Sequence, residues 1–184
     1  MNHRGAERAR KYADLGTPAL LVDLEAMEQN LQTMARFFRG QSSTLRPHFK
    51  NHRVVTFARR QLEHGASGIT CARLWQAERL VQAGIRDILI ANELAGEAPL
   101  RRFVELSGEA PVIVAVDHAA VITDLGRLAR DHHTTVNVVV DIDLGLRRCG
   151  VPPGSQTVSA SGCTRRFPPQ PHETSANAPA DSPS

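Results

Sequence analysis

Between residues 17 and 154 the chain alternates regularly between short, β-rich apolar runs and amphipathic stretches, and this alternation constrains the fold more than any other feature. Strands are predicted at 19–22, 44–47, 68–71, 87–91, 112–116 and 136–142, at a spacing of about two dozen residues that suits repeated βα units. Runs such as VIVAV and VNVVV are apolar without alternation, as in a parallel sheet covered on both faces. The intervening segments carry helical periodicity. Leu24, Met27, Leu31, Met34 and Phe38 form one apolar stripe, with Asp23 placed to cap the helix and Gly40 to end it. Leu74, Ala77, Val81 and Gly84 repeat the pattern, and Asp117 is placed to cap a helix bearing Val121, Leu125 and Leu128. These stripes read as core rather than as cofactor contacts. Gly65, Gly84 and Gly126 read as helix termini.

Repeated βα units lead to a doubly wound sheet or a (β/α)8 barrel. A complete barrel needs about 250 residues, so six units in 184 residues make an α/β chain that is an incomplete (β/α)8, TIM-type barrel. Residues 1–14 read as a flexible N-terminus and 15–154 as the partial barrel. From residue 155 the character changes: the last 30 residues hold six serines and five of the eleven prolines and almost no large aliphatic side chains. Such a segment cannot bury enough apolar surface to offset its ordering entropy, and 155–184 is expected to be a disordered tail. A natural tail and a shifted reading frame or truncated gene both produce that break.

A net charge of +3, with no basic stripe interleaved with aromatics, gives no support for nucleic acid as a partner. No apolar run approaches the roughly 20 residues of a membrane span, and the charged N-terminus lacks an apolar signal core, so a cytoplasmic location is expected. Cys71, Cys149 and Cys163 form neither a disulfide framework nor a CxxC pair.

In parallel α/β architectures, functional groups collect at the carboxyl ends of strands. Those ends offer Lys50, Cys71 with Arg73, Asn92 with Glu93, Asp117 with His118, and the run DIDLGLRRCG. The densest cluster is RPHFKNHR, residues 46–53, where Lys50 lies among Arg46, His48, His52 and Arg53. Neighbouring cations disfavour a protonated amine and make a lysine a usable nucleophile; a solvated basic loop is the plainer alternative. His48 and His52 are four apart, but Pro47 argues against the continuous helix that would make them joint metal ligands. Asp141 and Asp143 are two apart and share a face of an extended strand, where they could hold a divalent cation or simply cap a loop. Arg147 and Arg148 suit an anionic group such as a phenolate or phosphate, whereas Cys149 reads as a packed residue.

The blocks TPALLVDLEAMEQNL, LRPHFKNHR, ILIANELAG and VDIDLGLRRCGVPPG, in that order, resemble the N-terminal half of the alanine racemase-like, fold-type III pyridoxal enzymes, in the branch of D-threonine aldolase, D-serine dehydratase and 3-hydroxy-D-aspartate aldolase. The resemblance covers about residues 15–154. It implies that Lys50 carries pyridoxal 5'-phosphate as a Schiff base, that Arg148 lies near the cofactor's phenolic oxygen, and that His52 assists near the cofactor. Asn51 departs from the threonine usual in the family. The implied substrate is a small D-amino acid bearing a β-hydroxyl, the implied reaction is that of a lyase, and family members commonly pair as homodimers. Complete members also use a divalent metal, held by residues of a C-terminal domain; no such ligands are expected in this chain. Members run to roughly twice this length, which turns the reading of the tail toward truncation or a frameshift.

Overall fold

The computed structural model describes Tyr12 and residues 15–154. The chain forms two compact units, residues 1–91 and 92–184.

The first unit begins with helix α1, Leu24–Phe38. Asp23 caps it as expected: its carboxylate accepts from the Ala26 N–H at 3.1 Å, satisfying one of the first-turn amides that a helix leaves unpaired. Gly40, at φ +78°, lets the chain turn away. The stripe on α1 is less buried than its periodicity suggests. Met27, Leu31 and Phe38 are half-buried, and Leu24 and Met34 are exposed. The side that is covered also carries Glu28, whose carboxylate meets Arg60 at 2.5 Å and His64 at 2.8 Å. A one-turn 3-10 helix (Phe49–Asn51), α2 (Val55–Glu63), β1 (Ile69–Cys71), α3 (Leu74–Gln82) and β2 (Ile88–Ile90) follow. Strands β1 and β2 pair in parallel, Ile69 with Ile88 and Cys71 with Ile90. All four of these side chains are fully buried, with Phe49, Ala58, Ala77 and Leu80, so an aliphatic core forms between strands and helices.

Two expected strands are absent. Residues 19–22 form no strand, and Leu20 is almost fully exposed. Residues 44–47 lie extended beside β1 without becoming a regular strand: Leu45 C=O accepts from Ser67 N–H and Pro47 C=O from Thr70 N–H, and His48 bridges Thr70 in parallel. Pro47 has no N–H to donate, so the ladder there runs through carbonyls. Arg46 reaches across Gly68 to clamp Asp87, with bonds of 2.9 and 3.1 Å to the carboxylate and 3.0 Å to the backbone carbonyl.

The second unit runs α4 (Glu97–Glu109), β3 (Val112–Val116), α5 (Ala119–Asp131) and β4 (Asn137–Val140), with β3 and β4 parallel from Ile113–Asn137 to Val116–Val140. Its core is Phe103, Val104, Val112, Val114, Val116 and Leu125. Two expectations change here. His118, not Asp117, caps α5, its Nδ1 accepting from the Ala120 N–H at 3.2 Å. Gly126 lies inside α5 rather than at its end, because Leu125, Leu128 and Ala129 are buried around it and carry the helix past the glycine. Gly65 and Gly84 do follow helices, at φ +91° and +77°. No helix among the described residues is long and apolar enough to cross a membrane. The expected disordered tail, 155–184, lies outside the described residues, as does the expected flexible N-terminus apart from Tyr12.

Candidate active site

Lys50 occupies the middle of the 3-10 turn that follows the extended segment beside β1. Because His48 pairs with Thr70 in parallel, the turn emerges at the same end as the carboxyl terminus of β1. Neighbouring side chains of the turn part company: Phe49 is wholly buried and Lys50 is exposed. Among the described residues no hydrogen bond or ion pair holds the Lys50 amine. The turn is closed by the Arg53 N–H donating to Phe49 C=O at 2.8 Å, with Arg53 itself at φ +55°.

Two histidines flank the lysine in the same way. His48 Nδ1 accepts from the Lys50 backbone N–H at 3.2 Å, and His52 Nδ1 from the Val54 N–H at 3.1 Å. Burial draws the His48 pKa below its ordinary value, and the charge of Lys50 draws it further down. His52 is also lowered, by burial, against smaller opposing effects of the Gln61 side chain and the Val54 amide. Its ring packs edge-on against Phe49 and Phe57, at 5.4 and 5.6 Å between centroids. Its Nε2 is buried without a partner in hydrogen-bond geometry, as is Gln61 Oε1. The Nε2 of His52 is thus withdrawn from solvent, while Nδ1 is taken by the Val54 amide. At the end of β1, the buried Gln76 amide accepts from the Ala72 N–H at 2.9 Å, which fixes the strand-to-helix turn. Burial pushes the neighbouring Cys71 thiol up to about 12.

In the second unit Arg148 lies exposed on the loop after β4. The loop is closed at its base: Val151 N–H donates to Asp141 C=O and Asp143 N–H to Val151 C=O, both at 2.9 Å. Gly150, at φ +97°, passes so near that a Cβ there would meet Asp143 N at 2.7 Å, and its N–H donates to Asp117 Oδ2 at 3.1 Å. Asp117, expected as a helix cap, is thus used to pin this loop. Asp143 caps the loop instead of forming a metal pair with Asp141: its Oδ1 accepts from Gly145 and Arg147 N–H at 2.9 and 3.0 Å. These amides, Arg147 first, hold its carboxyl below the usual range.

The cluster of three that sequence reasoning missed is Glu93, Asp141 and Cys149, whose ligand atoms lie within 4.8 Å of one another. The Cys149 thiol donates to Asp141 Oδ2 at 3.3 Å. Arg148 lowers the Cys149 pKa, but Asp141, burial and Glu93 together outweigh it and the thiol is raised overall. The one available signal was that all three sit at or just beyond predicted strand ends.

The units are thus parallel α/β, the first with a lysine amine that has no partner among the described residues, on the turn after the segment beside β1, and the second with an exposed arginine on a pinned loop. Residues 22–168 match the family described as alanine racemase, N-terminal domain, and the chain belongs to this family. It is 35% identical over 163 residues to a D-threonine aldolase of Arthrobacter sp, covering 89% of this chain and 43% of that protein. It is also 35% identical over 141 residues to a 3-hydroxy-D-aspartate aldolase of Paracoccus denitrificans, covering 76% and 36%. Among solved structures it resembles D-threonine aldolase from Filomicrobium marinum, with a TM-score of 0.77, 41% identity, and coverage of 80% of this chain and 40% of that one. The chain therefore spans less than half the length of these relatives. The fold is α/β, part of the TIM-type barrel seen in alanine racemase-like proteins.

Proposed function

We propose that this chain is the cofactor-bearing part of a pyridoxal 5'-phosphate-dependent lyase acting on D-β-hydroxy amino acids, with cleavage of D-threonine to glycine and acetaldehyde as the preferred reaction. The observation that carries the reading is Lys50: an exposed amine without a partner among the described residues, on a turn anchored by buried Phe49 at the carboxyl end of a parallel segment. Such an amine fits the aldehyde of pyridoxal phosphate, and the family and its D-threonine aldolase and 3-hydroxy-D-aspartate aldolase relatives support the assignment. When bound, the cofactor supplies an electron sink for charge developing at the substrate's Cα. Lys50 Nζ would be the attachment point and, when free, a base able to take or return a proton. Arg148 would offer its guanidinium to the cofactor's phenolic oxygen, as the family resemblance implies, and the Asp117–Gly150 and Asp143 contacts hold the loop that carries it. His52 assists near the cofactor, its ring packed against Phe49 of the Lys50 turn and against Phe57. The substrate is a small D-amino acid, the location cytoplasmic and the assembly a homodimer. A divalent metal would polarise the β-hydroxyl in the complete enzyme.

D-Serine dehydration and 3-hydroxy-D-aspartate cleavage are the neighbouring chemistries for the same site. A different reading is cofactor binding without turnover. Purified protein mixed with pyridoxal phosphate should develop the visible absorbance of the lysine-bound cofactor and keep it covalently at Lys50 after borohydride reduction. If Lys50→Ala absorbs and labels identically, the proposal fails. Turnover of D-threonine with added manganese would separate the lyase from the binding-only reading.

A further inference from the structure

The spacing His-x-Lys-x-His in residues 48–52 has a structural meaning that does not depend on either histidine touching a reactant. Each imidazole accepts the backbone N–H two residues further on, His48 from Lys50 and His52 from Val54. The first of these contacts is made to the lysine itself. We propose that His48 is a positioning residue for Lys50: by capping the Lys50 N–H, its Nδ1 fixes the turn from which the amine projects. This inference rests on the reading of Lys50 as the cofactor lysine.

Four observations converge on it. His48 is the N-cap of the 3-10 turn, with extended backbone at φ −100° and ψ +117°. Its backbone is held by the parallel bridge to Thr70, so the ring hangs from a fixed point. Phe49, next in sequence, is fully buried and stops the turn from rotating about its own axis. The accepting nitrogen must be unprotonated, and both burial and the Lys50 charge favour the neutral ring. A turn of three residues has too few internal hydrogen bonds to hold one geometry alone, so the side-chain cap decides which direction Lys50 leaves it. Asparagine makes the same contact in an Asx turn, its side-chain oxygen accepting the N–H two residues on, whereas alanine cannot.

The test compares parent, His48→Ala, His48→Asn, Lys50→Ala and His118→Ala in the full chain, titrated with pyridoxal phosphate. Attachment is read as visible absorbance and as borohydride-stable incorporation at Lys50. His118 is the control because its Nδ1 caps Ala120 N–H at the same 3.2 Å in the other unit. His48→Ala should weaken attachment about fivefold, the equivalent of about 1 kcal/mol for a lost cap. His48→Asn should return it to within about twofold of the parent, and His118→Ala should leave it there, although both alanine variants lose a cap of the same kind. If Lys50→Ala attaches cofactor like the parent, the cofactor reading falls and takes this inference with it. If Lys50→Ala fails to attach while His48→Ala matches the parent, only the inference is overturned. Equal losses in His48→Ala and His48→Asn, or an equal loss in His118→Ala, overturn it as well. Should His48→Ala not fold, His48→Asn decides: attachment like the parent supports the inference and a fivefold loss refutes it.

Discussion

Replacing Gly68 by alanine tests how the segment leading to Lys50 is held to the sheet. A Cβ at this position would lie 2.0 Å from Arg46 Nη1, 2.8 Å from Arg46 Cζ and 2.5 Å from the Asp87 carbonyl oxygen. The guanidinium can swing away, but it then gives up three contacts to Asp87. That ion pair is partly exposed, at 25% for Arg46 and 51% for Asp87, so its loss costs about 0.2–1 kcal/mol. The carbonyl cannot swing away. It also accepts the Ile69 N–H at 3.0 Å, the hydrogen bond that opens β1. Forcing it outward is an overpacking problem of about 1–3 kcal/mol. The sum is about 2–3 kcal/mol at the middle of these ranges. Urea unfolding followed by far-ultraviolet circular dichroism should show the midpoint falling by about 1 M at a slope of about 2 kcal/mol/M, with the slope unchanged. A midpoint within a few tenths molar of the parent would refute the geometric argument. Arg46→Ala in the same background locates the cost: if most of it disappears the guanidinium was the obstacle, and if it persists the carbonyl was.

Other perturbations separate local from distributed effects. Asp23→Ala removes the cap on Ala26 N–H and should lower stability by about 1 kcal/mol in the same urea assay. Gly126→Ala should raise it by about 0.5–1 kcal/mol, since a Cβ there meets only Arg130 Nη1 at 3.7 Å and the residue lies within α5. Glu28 is raised by burial but lowered more by Arg60, His64 and Gln32, so its folded pKa is depressed. Its contribution is therefore fully present above the unfolded carboxylate value and is lost as pH falls through the folded one. Glu28→Gln should flatten that acid limb, and an unchanged limb would contradict the assignment. Cys71, pushed to about 12 by burial, should stay unmodified by a thiol reagent at mildly alkaline pH until urea is added, as read by peptide mapping.

Features decided within a few residues were legible in the sequence. Asp23 capped α1 and Gly40 ended it as read, and the run VIVAV became β3 at the expected residues. Features decided by distant neighbours were not. Residues 19–22 have a strand's composition, but a strand exists only where another pairs with it, and none among the described residues does. Asp117 had the residue type for a cap; the amide that claims it belongs to Gly150, 33 positions away. The site divided along the same line. The alternating pattern put Lys50 just after an extended segment, which lies beside β1 without becoming a regular strand, while the grouping of Glu93 with Asp141 and Cys149 needed the fold itself.

The loop after β4 is fastened like a buckle. Its two ends, Asp141–Asp143 and Val151, hold each other, while Leu144, Gly145 and Leu146 stand out in solvent between them. Such a loop opens as a unit or not at all, so the amides of Asp143 and Val151 should exchange with deuterium together. Insertions at its exposed crest would lengthen the strap and leave the clasp shut. Any side chain at Gly150 would prise the clasp open and release Arg148 without touching it.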